Sequence, residues 1–196
     1  KMDIKSFSKK TLDFTIKRLA EIMGIFLIAT SVLLFIALFS YSPEDPNFIF
    51  PENTDIKNIL GYQGSFISDL IFQSVGLIAY LIPLIFTGVN IFKRKEIFLL
   101  IENTFYIVIY SFFGSIFFSL YYLNTFTLYI NGNGGFVGNY LTTSFLNNLI
   151  DYNEMVFYYI LILIVTILFF TSINFDSKNF YLFFKKIYYS KDKKNY

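Results

Sequence analysis

Histidine and cysteine are missing from this 196-residue chain. Without imidazole or thiolate there is no His or Cys metal site, no bis-His haem, no Ser-His-Asp or Cys-His catalysis and no disulfide. Charge is scarce as well. Asp, Glu, Lys and Arg make up 15% of residues, against about 25% in an ordinary soluble domain. The net charge of +2 gives no broad basic field for nucleic acid. The low hydrophobicity that disorder requires is absent too, since apolar residues reach 55% and mean hydropathy is +0.55. The composition argues against a soluble enzyme and against disorder. No internal repeat is visible at solenoid or inverted-repeat scale.

Aromatics are abundant, with 27 Phe and 16 Tyr. Lys outnumbers Arg heavily, and Ile and Asn are frequent, which looks like the codon bias of an AT-rich genome. The aromatic excess is therefore weak evidence for a recognition surface. Its distribution in long apolar runs is more telling. A helix needs about 20 mostly apolar residues to cross a hydrocarbon core. Four stretches qualify: about 22–41, 70–92, 104–123 and 155–173. None alternates with period two over ten residues, so a transmembrane β-barrel is not indicated. A cleaved signal sequence is a poor account of the first run. It is longer than a usual h-region, and Ala37-Leu38-Phe39 puts a bulky residue where a small one is required.

Lys and Arg placement sets the orientation. The segment before the first span carries six of them (Lys1, Lys5, Lys9, Lys10, Lys17, Arg18), and residues 42–69 carry only Lys57. The next connection has Lys93, Arg94 and Lys95, residues 124–154 have none, and the tail has six. Both ends and the 93–95 turn are expected in the cytoplasm. The predicted fold is all-α: an integral-membrane four-helix bundle, both termini cytoplasmic, with short interfacial helices. Its parts are a basic cytoplasmic segment (1–18), the four-span domain (19–173), and an interfacial helix opening a cytoplasmic linker (174–196). In that tail Phe180, Phe183, Phe184, Ile187 and Tyr188 share a helical face beside Lys185 and Lys186. A chain that opens Lys1-Met2 and closes on a polar run is expected to belong to something longer.

The outer loops hold the distinctive motifs. The first opens Ser40-Tyr41-Ser42-Pro43-Glu44-Asp45-Pro46. Pro43 presets a turn, Ser42 can accept its hydrogen bond, and Pro46 disfavours helix at Asp45. Glu44 and Asp45 lack EF-hand spacing. The second contains Gly132, Gly134, Gly135 and Gly138. No Lys-Ser/Thr follows as a phosphate loop would need, and G-x-G-x-x-G fails at Val137. Beyond it, Val137, Tyr140, Leu141, Phe145, Leu149 and Ile150 could form the apolar face of a short helix on the interface or the bundle. In the second span, Pro83 should kink the helix by removing a bond to the Ala79 carbonyl. Ala20-x-x-x-Gly24, Ser111-x-x-x-Ser115 and Gly114 offer close helix packing. Glu21 has Arg18 three residues before it as an ion-pair partner, and no ionisable residue lies near a midplane.

These features in this order resemble the N-terminal membrane domain of the FtsK/SpoIIIE family of bacterial DNA translocases. The resemblance runs from Arg18, Glu21 and Gly24 through Ser40–Pro46, similar to that family's S-Y-S-P-x-D-P. It continues through Gly61-Tyr62-Gln63-Gly64-Ser65 with Ser68-Asp69, then Gly76-Leu77-Ile78-Ala79-Tyr80-Leu81-Ile82-Pro83, then Gly134-Gly135-Phe136-Val137-Gly138. Ser65 and Ser68 stand where the family often has Ala, a small-for-small exchange. The resemblance implies a membrane anchor and assembly domain of a septal DNA translocase acting in chromosome segregation and cell division, at the inner membrane. It implies self-association, contacts with membrane lipid and with other division proteins, and DNA engagement only through a C-terminal motor. ATP and Mg²⁺ would belong to that motor, so this chain is expected to carry no cofactor and no catalysis. Structural or partner-contact candidates are Ser42, Pro43, Asp45, Pro46, Asp69, Gly76, Tyr80, Pro83, Gly134, Gly135 and Gly138. The alternative from the composition is a small transporter or channel subunit, using Thr30, Ser31, Asn90, Ser111, Ser115 and Ser119. A membrane enzyme using Glu44, Asp45, Asp69, Asp151 and Glu154 lacks a nucleophile or ligand set.

Overall fold

The computed structural model describes residues 4–46, 55–80, 82–122, 131–146 and 153–175. Among these the chain is a helical membrane domain with no strand. The proposed tail helix at 180–188 and residues 147–150 of the loop helix lie outside the described residues.

Helix α1 runs Ile4–Phe39. Its 36 residues include no proline, so once nucleated the helix propagates from the basic segment into the apolar run. At 1.5 Å per residue it is about 54 Å long, against a hydrocarbon core of about 30 Å. The segment expected as a separate basic region is thus mostly the first turns of the same rod. It ends where Ser40 Oγ donates back to the Ile36 carbonyl at 2.7 Å, three residues before Pro43.

The second predicted span is the main correction. Residues 70–92 are not one helix kinked at Pro83. Helix α2 (Gly61–Val75) stops, a 3-10 turn covers Gly76–Ala79, and α3 (Ile82–Arg94) starts afresh. The two parts meet at a bend of 84°. Pro83 lies in the first turn of α3, where a missing N–H costs nothing. The break sits upstream, where Gly76 has φ 72° and ψ −148°, a conformation nearly restricted to glycine.

Helix α4 spans Phe98–Tyr121, starting six residues before the expected 104. A short α5 (Gly135–Leu141) leads into a π-helical turn (Thr142–Leu146). The last helix, α6 (Glu154–Ser172), falls within a residue of expectation. Asn153 caps it, its Oδ1 accepting from Val156 N at 3.3 Å. Among the described residues three helices are each long and apolar enough to cross a membrane, and the bent pair taken as one broken span makes four.

Helix α3 runs antiparallel along α1. A Cβ on Gly24 would lie 2.7 Å from Phe92 N and 2.9 Å from Gly88 O, so the two backbones nearly touch. Ala20, Ile91 and Leu99 form a buried cluster near the cytoplasmic end. Leu38, Phe72 and Ala79 form another near the outer end. Helix α6 leans on α4 through rings, Tyr110 on Phe169 at 5.8 Å and Tyr121 on Tyr158 at 4.8 Å. Elsewhere α6 turns its large apolar side chains outward, as a lipid-facing helix does, and only Leu161 and Ser172 are buried.

Candidate functional site at the outer face

The Ser42–Pro46 motif folds into a clip. Asp45 N donates to Ser42 O at 3.2 Å, closing the turn that Pro43 presets. The Asp45 side chain is fully buried. Its Oδ1 accepts from Lys57 N and its Oδ2 from Asn58 N, each at 2.8 Å. The carboxylate thereby pins the far end of the first outer loop to the end of α1. Asn58, which the motif reading missed, completes the closure. Its Nδ2 donates to Ala37 O at 2.8 Å, one of the carbonyls a helix end leaves unpaired. Its Oδ1 accepts from Leu60 N at 3.0 Å, an Asx turn that leads into α2. An Asn three residues before Gly61 was the available signal.

Other bonds tie α2 to the clip. Ser65 Oγ donates to Pro46 O at 3.0 Å, and Ile59 N to Ser40 Oγ at 3.1 Å. Tyr41 OH donates to Asp69 Oδ1 at 2.9 Å. Pro46 and Asp69 are buried, Ser42 and Pro43 partly exposed. On the rim, Lys57 forms an exposed ion pair with Glu44. The hydrogen bond from the ammonium holds the Glu44 carboxyl below its ordinary range, and the carboxylate raises Lys57.

The glycine loop meets the helix break a short way off. Asn133 O accepts from Leu77 N at 2.9 Å, replacing a bond lost where the helix stops. A Cβ on Gly76 would collide with that same Asn133 carbonyl. Ser115 Oγ on α4 reaches Val75 O at 2.8 Å. Asn133 is itself buried and donates through Nδ2 to Tyr122 O. Gly134, Gly135 and Gly138 are buried. A Cβ on Gly134 would sit 2.5 Å from Ser115 O, and one on Gly135 2.5 Å from Gly76 N. The start of α5 thus packs on α4 through Gly134 and Gly138, with Thr142 just beyond the helix 3.3 Å from Ser119 Oγ, while Gly135 lies against the Ser74–Gly76 backbone. Of the expected apolar face, Val137 and Leu141 are half-buried, while Tyr140 is exposed and stacks on exposed Phe136 at 5.9 Å. Tyr80, just past the 3-10 turn, packs back on the end of α1 and on α2, its OH donating to Leu38 O at 3.4 Å and its ring 5.6 Å from Phe72. Pro83 lies in the first turn of α3.

Most of the described hydroxyls inside the bundle donate to backbone carbonyls, while the buried Asn103 Nδ2 has no partner. Thr30 and Ser31 donate to Leu27 O, and Ser111 to Ile107 O. Asn90 Nδ2 donates to Ile173 O at 3.0 Å across to the end of α6, where Asn174 Nδ2 reaches buried Asn103 Oδ1 at 2.5 Å. The residues offered for a transport pathway therefore act as helix-packing groups. Among the described residues no three His, Cys, Asp or Glu gather as a metal site would need. At the cytoplasmic end the expected Arg18–Glu21 pair is present at 2.5 Å, and Lys95 joins Glu21 at 2.6 Å.

Residues 16–178 match a family described as the 4TM region of DNA translocase FtsK/SpoIIIE. The chain is also similar to a DNA translocase FtsK of Azospirillum brasilense, 35% identical over 81 residues, covering 40% of this chain and 13% of that protein. It is 39% identical over 70 residues to a DNA translocase FtsK of Vibrio vulnificus, covering 35% of this chain and 7% of that protein. The match thus spans only a small part of the length of either relative. No solved structure matches.

Proposed function

The chain belongs to the family of FtsK/SpoIIIE 4TM regions, and from that premise we propose that it anchors and assembles a septal DNA translocase acting in chromosome segregation and cell division. It is a multi-pass domain of the inner membrane, and the matched family is the membrane region of such translocases, not their motor. The observation that carries the reading is the family match across 16–178, laid over a structure in which Asp45 and Asn58 tie the two described ends of the first outer loop together.

The mechanism is mechanical and entropic. Several crossing helices resist extraction far better than a lipid chain or one interfacial helix. Holding motor subunits in one membrane patch raises their effective concentration for assembly. Self-association of the membrane domain would serve the same end, and DNA would be met only by the motor. The half-exposed Ser42-Pro43 turn and the exposed Phe136–Tyr140 pair present the outer face to other division proteins.

A fluorescent fusion of residues 1–196 in dividing cells tests this. A band at midcell is expected, lost on replacing Pro43 and Phe136 while membrane insertion persists. Even distribution around the cell periphery would overturn the septal reading.

A further inference from the structure

At the cytoplasmic end, a recess of about 450 Å³ opens between α1 and the turn joining α3 to α4. Its charged lining is Asp13 and Lys17 from α1 with Lys95 and Glu96 from the turn, and its apolar floor is Ile16, Ile97 and Phe98. Lys17 lies five residues before Ile22, where the apolar run begins, about 7 Å outside the hydrocarbon. That is headgroup depth. Phe98 is 83% exposed. It heads a row of exposed side chains on α4: Ile101, Phe105, Val108 and Phe112, spaced three and four apart on one face. From Phe98 to Phe112 the row runs about 21 Å, more than one leaflet of a core about 30 Å thick. The recess and the row are continuous at Phe98.

We propose that this is a binding site for one inner-leaflet phosphatidylethanolamine, its headgroup in the recess and an acyl chain along the α4 row. The charge pattern selects the headgroup. Two ammonium groups and two carboxylates line the recess, so the lining is neutral overall. Among the described residues Asp13, Lys17 and Glu96 make no ion pair, while Lys95 is shared with Glu21 at 2.6 Å. Lys17 is placed to take a phosphate. Asp13 and Glu96 are placed to take a primary ammonium, which donates up to three hydrogen bonds. Phosphatidylglycerol would set its net negative charge against both carboxylates. A choline headgroup has no N–H to give them.

The chain contains no tryptophan, so Phe98→Trp creates a single fluorophore at the junction of recess and row. The full chain carrying it is placed in phosphatidylcholine bilayers with increasing fractions of acyl-brominated phosphatidylethanolamine, phosphatidylglycerol or phosphatidylcholine. Quenching by the ethanolamine lipid should reach half-maximum at a several-fold lower fraction than by either other lipid. Asp13→Asn with Glu96→Gln should abolish that advantage and favour phosphatidylglycerol. Lys17→Gln should weaken quenching by both phosphatidylethanolamine and phosphatidylglycerol. Ile101→Trp, one turn along, repeats the experiment if Phe98→Trp disturbs insertion. Equal quenching by all three lipids, a preference for phosphatidylglycerol in the unaltered recess, or indifference to the charge substitutions would overturn the proposal.

Discussion

At the outer end of the bundle, three buried polar side chains, Asp45, Asn58 and Asn133, bind backbone groups across loops and helix ends. At the inner end α1 and α3 meet through Gly24 and Gly88, the Glu21 pair with Arg18 and Lys95 marks the boundary, and the side-chain amides of Asn90 and Asn174 serve only where α6 ends. The contrast follows from what each end must fix. Where α1 and α3 run side by side their backbone bonds are already made, so close contact suffices; at the end of α6, where they are not, Asn90 takes the Ile173 carbonyl. The outer end stops one helix, turns the chain through 84° and restarts it. Each interruption frees backbone groups that lipid cannot satisfy. Side-chain carboxylates and amides supply those bonds.

If that division holds, substitutions at the two ends should fail differently. The largest effect is expected from Asp45→Ala, which leaves the Lys57 and Asn58 amides without acceptors, about 1–3 kcal/mol for each. The first outer loop should become sensitive to external protease while the span termini stay protected. Asp45→Ala combined with Asn58→Ala should be clearly non-additive, since both serve one closure. Next is Gly76→Ala, which forces a residue with a Cβ into glycine-only backbone, about 1–3 kcal/mol, and against Asn133. Lowered thermal stability in detergent should come with exposure of the 131–138 loop. Third is Gly88→Leu, an overpacking cost of about 1–3 kcal/mol, part of which the two helices can relieve by moving apart. It should loosen α1 from α3, read as faster crosslinking-detected separation, with the outer loops still closed.

The smallest effect belongs to the exposed Glu44–Lys57 pair. Its contribution is present above the ordinary carboxylate range and is lost as pH falls through the depressed Glu44 value. It is also lost at high pH, as Lys57 deprotonates above its ordinary range. Near neutrality Glu44→Gln should leave the melting temperature unchanged within error, as exposed pairs usually do. A large shift would mean that the rim charge, and not the buried clip, holds the loop.

What could be read in advance follows the same divide. Uninterrupted helices announce themselves by apolar length, so α6 fell within a residue of expectation. The Arg18–Glu21 pair is local and was equally legible. The broken second span was not. Leu70 to Phe92 is mostly apolar and carries no charge, and nothing in that run shows that Gly76 is held by Asn133 from a distant loop. Pro83 drew attention as a breaker, yet it only opens α3. Asp45 read as a plain turn residue because its partners are backbone amides, which any sequence supplies. Asn58 offered only a local turn signal before Gly61, which does not show its bond to the Ala37 carbonyl 21 residues away, and Ala20 and Gly24 showed one side of a contact whose other side, Gly88, pattern alone does not assign.

The central claim is a domain anchored by helices that cross an even number of times, with clipped loops outside and lysines inside. Because the chain has no cysteine, single cysteines can be labelled in intact cells with a membrane-impermeant maleimide. Cysteines replacing Glu44 and Asn139 should react, and those replacing Lys10 and Glu96 should react only after the membrane is opened. Reaction at position 10 or 96 in sealed cells, or protection at 44 and 139, would contradict the account.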